Sequence, residues 1–322
     1  MNKVISIALF GAGDQYSRYL GAFVRAHLTL FPIAEGWRLA LHVDDVNCCG
    51  FATALGNRDI LDVVRMEEEP VRTRAMLWRM VPIFRSETNI PDYVFCRDLD
   101  ALPTPRDRVC CDRFIRSGLD VHAIHDSQSH DGVMGGMSGF RVDTFLEQTK
   151  FKTWNDLVAF GRKSEAEWLK HGTDQDVLNA LCLGSGMPGD KPGADLAIFE
   201  HRWAGWADGK PGTSTRGPSK WATVSEPTPD KISGGLSWGC GMFGYGDEQR
   251  SSSYVEVGGV RLRHGAVRGF DMHVAADTLS AHLGAAGFDY ARAAAFYDEH
   301  GDPATMRLVR EAEAEVNDDR RV

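Results

Sequence analysis

The sequence predicts an α/β protein, a mainly parallel sheet flanked by helices with a mostly helical C-terminal extension, and three observations carry that expectation. Apolar runs of strand length alternate with segments of helical spacing through the first half of the chain. The first of these runs, residues 4–10, is continuously apolar and stops at Gly11, as expected of a first core strand. The last fifty residues carry helical patterning, with Asp302 and Pro303 reading as a cap followed by proline at the first helical position. A chain of 322 residues, 43% hydrophobic and 10% aromatic, has the apolar material for one large α/β domain, which excludes global disorder.

Taken in order, residues 4–10 form the first strand and turn at Gly11, Ala12 and Gly13 into a helix over about 16–30. Residues 37–43 form a second strand that closes on Asp44 and Asp45, and 62–66 a third, short one. Residues 71–85 place Met76, Leu77, Met80, Val81 and Phe84 at helical spacing, with Arg72 and Arg79 on one edge of the stripe at ~100° per residue. Pro82, lacking an amide, is expected to kink this helix. Residues 92–96 are a strand running into Arg97-Asp98-Leu99-Asp100, followed by a helix over 106–117 and a strand over 121–124. A Gly/Met-rich segment spans 133–140, and a helix over 174–183 is opened by Thr173 as its cap. Composition shifts near residue 203: residues 205–220 are rich in Gly, Pro, Ser and Thr, and four of the eight tryptophans (Trp203, Trp206, Trp221 and Trp238) fall in this region. The expected division is a catalytic domain over 1–204 and, over 205–322, a Gly/Trp-rich loop region with a helical extension packed on the same domain.

Charge and cysteine content narrow the function. A net charge of −9 argues against general nucleic-acid binding. The seven cysteines show no CxxC zinc spacing, and their odd number argues against a disulfide framework, so a reducing cytoplasm is the expected location. No apolar run is long enough for a transmembrane helix, and the opening residues do not read as a secretory signal.

Asp98 and Asp100 carry the sharpest chemistry. Two residues apart in an extended chain, they point to one side, and a carboxylate pair there suits a hard divalent cation bridging to phosphates. The pair sits at the carboxyl end of a strand, where ligands collect in open α/β sheets. Two exposed aspartates opening a turn before Pro103 would leave the same trace.

The surroundings of this pair resemble a group of bacterial, viral and algal glycosyltransferase-like proteins with the GT-A nucleotide-diphospho-sugar transferase fold. The resemblance rests on an ordered set over roughly residues 5–202: the strand, turn, Tyr16-x-x-x-x-Gly21-Ala22 and second strand of the opening; Met76-Leu77-Trp78-Arg79-Met80; Arg97-Asp98-Leu99-Asp100; His125-Asp126, His130 and Met134-Gly135-Gly136-Met137-x-Gly139; and Asp174-Gln175. His125 stands where the family usually has arginine and Ser138 where it usually has tryptophan, so the sugar and acceptor do not carry over.

The resemblance implies a metal-dependent transferase (a hexosyltransferase) that moves a sugar from a nucleoside diphosphate donor, UDP-linked by expectation, to a hydroxyl. Asp98 and Asp100 would hold Mn²⁺ or Mg²⁺, with a late histidine, His201, as third ligand and His264 and His273 as rivals. Gly11 and Gly13 would let the nucleotide approach the backbone, Tyr16 would stack on the base and Arg79 would face the phosphates. Gly135 and Gly136 would border the sugar, with Asp126 on its hydroxyls. Asp174, with Gln175 beside it, would be the base or the acceptor anchor. Each residue also has an ordinary use: a tight turn for the glycines, a solvated helix side chain for Arg79, first-turn capping for Asp174.

Two other functions fit parts of the pattern. A sugar-nucleotide nucleotidyltransferase shares the two-carboxylate chemistry, but its first turn normally carries a basic triphosphate-binding loop, and here the turn carries Asp14 and no lysine. A non-catalytic nucleotide- or carbohydrate-binding module would bind ligand without turnover. Glycans, lipid-linked sugars, small molecules, proteins and a modified nucleobase are all compatible acceptors.

Overall fold

Six strands form the main sheet: β1 (Lys3–Leu9), β2 (Trp37–Val43), β3 (Leu61–Arg65), β4 (Tyr93–Arg97), β5 (Val121–Ala123) and β6 (Met137–Arg141). Their spatial order is β3-β2-β1-β4-β6-β5. β1 pairs in parallel with β2 on one side and β4 on the other, and β2 pairs in parallel with β3. β6 lies antiparallel between β4 and β5, which makes the sheet mixed but mainly parallel. The connection reverses direction at β1, since β2 and β3 extend one way and β4 starts the other. The structure is a computed structural model, and the residues it describes are 1–11, 17, 19–44, 61–66, 72–84, 90–99, 102–123, 133–161, 163–170, 172–183, 254–257, 260–263, 270–284, 287–299 and 303–319.

Ten α-helices are present among the described residues: α1 (Leu20–Leu30), α2 (Arg72–Ala75), α3 (Pro105–Ser117), α4 (Val142–Thr149), α5 (Trp154–Gly161), α6 (Glu165–Trp168), α7 (Thr173–Leu183), α8 (Phe270–Leu283), α9 (Tyr290–Glu299) and α10 (Pro303–Asp319). β7 (Tyr254–Val257) and β8 (Val260–Arg263) pair as a separate antiparallel hairpin.

Strand alternation divides the core into two layers. On one face Ile5, Ile7, Leu39, Tyr93 and Phe95 pack with α1, α3 and the three C-terminal helices. On the other, Val4, Ala40, Val94, Cys96 and Phe140 pack with residues 77–83, α4, α5 and α7. Each buried side chain of this size contributes on the order of 1.5–3 kcal/mol relative to exposure. The C-terminal helices are tied down by polar contacts as well. Arg25 pairs with Asp277 at 3.0 Å, Tyr290 donates to Asp112 at 2.8 Å, and Arg113 pairs with Glu315 at 2.5 Å.

α3 shows why its sequence is a helix. The Thr104 side chain accepts the Asp107 amide, Pro105 takes the first position, and Gly118 ends the helix at φ 66°. Without the Thr104 cap the helix would lose about 1 kcal/mol.

Two expectations are corrected, and a segment without an assigned structure gains one. Residues 71–85 do not form an α-helix kinked at Pro82: one α turn, α2, passes into a 3₁₀ helix, Met76–Phe84, that runs through the proline. At three residues per turn, Arg79 stands directly over Met76, and its Nε donates to the Met76 carbonyl at 2.8 Å. Arg79 is therefore buried, at 4% exposure, and not a solvated edge residue. Thr173 is inside α7 and does not cap it as an acceptor; its hydroxyl donates to the carbonyls of Glu167 and Lys170 at 2.7 and 2.9 Å. The Gly/Met-rich segment becomes a turn, closed by the Met137 amide on the Met134 carbonyl at 3.1 Å, followed by β6.

Candidate functional site

β1 and β4 are adjacent parallel strands with their connections leaving in opposite directions. A crevice at their carboxyl ends is where an open α/β sheet takes a ligand. Gly11 follows β1 there, with φ 85°, and its amide donates to the Asp44 carboxylate at 2.8 Å. Asp44 itself follows β2. Asp98 follows β4, with its side chain 44% exposed.

Four segments meet at Asp98. Arg79, from the 3₁₀ helix, donates through Nη1 to Asp98 Oδ1 and through Nη2 to Asp174 Oδ2 at 3.4 Å. The Arg79 and Asp174 side chains are 5% and 7% exposed, so this guanidinium sits between one closed and one open carboxylate. Asp174 lies in the first turn of α7 and also takes the Gln175 amide. The fourth segment is the turn ahead of β6. A Cβ on Gly135 would come within 2.5 Å of Asp174 Oδ2 and 2.9 Å of Arg79 Nη2, and one on Gly136 would overlap the Asp98 carboxylate. At both positions the missing Cβ leaves room for the chain's own charged groups. The same turn is anchored to α7, since the Val133 amide donates to Asn179 Oδ1 at 2.6 Å.

Burial pushes the Asp174 carboxyl above its ordinary range; Arg79 pulls it down, and Asp98 adds to the rise. For Arg79, burial works against the charge, but Asp98 and then Asp174 outweigh it and its pKa is raised. The result is a fixed cation holding two carboxylates of different exposure. The buried one holds its proton more tightly than an ordinary carboxylate, and the exposed one keeps its carboxylate open to solvent.

Of the residues expected at the site, Arg79, Asp98, Gly135, Gly136 and Asp174 converge. Gln175 is half-buried beside Asp174, and Gly11 lies at the end of the neighbouring strand. Gly13, Tyr16, Asp100, Asp126 and His201 lie outside the described residues, as do His125, His130, His264, the four clustered tryptophans and the boundary at 204/205. Among the described residues, no group of three or more His, Cys, Asp or Glu side chains is placed to hold a metal ion.

Sequence reasoning missed what lies behind Asp98. Arg97 and Asp107 form an ion pair with both side chains 2% exposed, at 2.6 Å. The signal available was the arginine of the Arg-Asp-x-Asp run, which strand alternation places on the face opposite Asp98.

No protein-family model and no curated protein matches the sequence. Solved structures do. A mannosyltransferase, PcManGT from Pyrobaculum calidifontis in complex with GDP-Man and Mn²⁺, is similar over 46% of each chain at 9% identity and a TM-score of 0.36. The apo form of the glycosyltransferase GlyE of Streptococcus pneumoniae is similar over 65% of this chain and 46% of that one, at 16% identity and a TM-score of 0.41. Residues 1–349 of S. aureus TarS are similar over 55% and 54%, at 14% identity and a TM-score of 0.36. The chain spans about half the length of the structures it matches.

Proposed function

We infer that this chain is a glycosyltransferase of GT-A type that moves a sugar from a nucleoside diphosphate donor, UDP-linked by preference, to a hydroxyl acceptor. The observation that carries this reading is the position of Asp98: a half-exposed carboxylate at the carboxyl end of β4, beside the point where the sheet reverses direction, facing a buried Arg79–Asp174 pair.

A hard divalent cation, Mn²⁺ or Mg²⁺, fits the donor chemistry of Asp98. One of its oxygens meets Arg79 and its side chain reaches solvent. Asp100 and His201 complete the ligand set in this proposal. When bound, the cation supplies positive charge to the departing diphosphate. Arg79, committed to Asp98, Asp174 and the Met76 carbonyl, would fix the carboxylates and lend its charge to the site without leaving them. Asp174, its proton affinity raised by burial, takes the acceptor hydroxyl proton or orients the acceptor, with Gln175 beside it. Gly135 and Gly136 bring the backbone up to this group, and Asp126 would bind sugar hydroxyls. Gly11, Gly13 and Tyr16 border the nucleotide.

Among the described residues no helix is long and apolar enough to cross a membrane. Calorimetric titration with UDP, GDP and their sugars, with and without Mn²⁺, tests the reading. Binding that needs Mn²⁺ and disappears in folded Asp98→Asn protein is the expected result. If folded wild-type protein takes no nucleotide under any metal condition, the donor-site assignment is wrong and a binding module for another ligand replaces it.

A further inference from the structure

Arg97 is a buried, charged side chain that the proposed chemistry does not use. Its Nε donates to both Asp107 oxygens at 3.1 Å, and its Nη2 donates to Asp107 Oδ1 at 2.6 Å and to Cys111 Sγ at 3.3 Å. Its Nη1 donates to the Cys96 carbonyl at 2.8 Å and to the Ser138 carbonyl at 2.9 Å. One guanidinium thus joins the first turn of α3, the last peptide of β4 and the second residue of β6. The ladder between β4 and β6 ends here, at the pairs Cys96 with Ser138 and Arg97 with Met137. One residue further along β4 stands Asp98, and one residue back from Met137 stands Gly136, whose missing Cβ admits the Asp98 carboxylate.

A buried ion pair is a poor device for stability, because removing both charges from water offsets their attraction. A rigid fork with five donors is a good device for fixing backbone positions. Arg97 packs with Phe95 and α3 on one face of the sheet, while Asp98 meets Arg79 on the other, so the hydrogen bonds that tie Arg97 to the ends of β4 and β6 run to the backbone.

We propose that the Arg97–Asp107 pair is a positioning element for the site: it sets the spacing of the ends of β4 and β6 so that Asp98 and Gly136 meet in the geometry that receives a divalent cation. The inference rests on the reading of Asp98 as a cation ligand. Two variants test it: Arg97→Lys, which keeps the charge and loses the fork, and Arg97→Met/Asp107→Leu, which replaces the pair with apolar groups of similar volume.

Mn²⁺ binding is followed by the electron paramagnetic resonance of the free ion, without nucleotide or turnover. Both variants are expected to keep the circular dichroism of the wild type and to bind Mn²⁺ at least tenfold more weakly. Amide exchange should quicken at Asp98 and Met137 while β1 and β2 keep their protection. A folded variant with wild-type Mn²⁺ affinity overturns the proposal, as does exchange that quickens uniformly across the sheet. Failure of Arg97→Lys to fold would make the pair a stability element and would also overturn it. If wild-type protein binds no Mn²⁺, the cation reading of Asp98 fails, and the exchange pattern alone decides whether Arg97 positions this strand end.

Discussion

Two buried arginines flank the end of β4, one on each face of the sheet, and they solve different problems. Arg97 faces α3 and gives its donors to Asp107, two backbone carbonyls and a thiol, all closed from water. Arg79 faces α7 and shares its guanidinium between Asp174, which is closed, and Asp98, which is 44% exposed. The difference teaches where chemistry can reside. A charge whose partners are all sequestered can act only through the backbone it fixes, whereas one with a partner open to solvent can respond to a ligand.

The largest expected effect lies on the closed side. Arg97→Ala leaves Asp107 buried without its partner and should lower stability by about 3–5 kcal/mol in urea unfolding at neutral pH. A loss below about 1 kcal/mol would erase the distinction between the two arginines.

Acid should also act first on the closed side. His27 is fully buried in the α1 layer, and neither ring nitrogen has a hydrogen-bond partner among the described residues. Burial, with Arg108 adding repulsion, pulls its pKa from 6.5 to about 3. The unfolded chain therefore binds this proton when the folded one does not. The His27 contribution is intact above about pH 6.5 and falls away as pH drops toward 3. About 2 kcal/mol should disappear between pH 7 and 5. Thermal unfolding of wild type and His27→Leu across that range checks it; parallel pH profiles would remove His27 as the cause. His122, buried between Phe95 and Phe114 on the same face, is shifted in the same direction.

Two glycines of the β6 region sharpen the comparison at smaller scale. A Cβ on Gly139 would lie 2.6 Å from the Phe95 ring, in packed core, so Gly139→Ala should cost about 1–3 kcal/mol. The atoms nearest a Cβ on Gly136 are those of the Asp98 carboxylate, which has solvent to swing into. Gly136→Ala should thus change stability by about 0.5 kcal/mol or less. It should nevertheless weaken Mn²⁺-dependent nucleotide binding at least tenfold, read by calorimetry. Equal stability losses in the two variants would show that both sides are equally closed.

Much of this architecture was legible in the sequence. Strands buried on both faces leave continuous apolar runs, so β1, β2 and β4 stood out. Proline and glycine marked the two ends of α3. The convergence of Asp98, Gly135, Gly136 and Asp174 was foreshadowed by their order along the chain, though not by any spacing that periodicity could supply. Two features were hidden. The 3₁₀ winding of residues 76–84 leaves an apolar pattern that an α-helix would also leave, and only the three-residue repeat places Arg79 inward. The run Arg106-Asp107-Arg108 reads as a solvated helix face, yet all three are buried. Their cover comes from elsewhere: Glu35 for Arg108, Arg97 for Asp107, and Tyr297, whose hydroxyl takes the Arg106 amide.

The contact between α1 and α8 has a consequence during synthesis. Arg25 and Asp277 are separated by 252 positions, and the layer that holds Phe23 and Leu30 is closed by Ala276, Leu279 and Leu283. At about 5–20 residues per second, the apolar face of α1 waits on the order of ten to fifty seconds for the helix that covers it. For that interval the nascent chain carries an unsealed, adhesive surface. Its yield in a cell should therefore depend on holdase chaperones at the ribosome more than the stability of the finished fold would suggest.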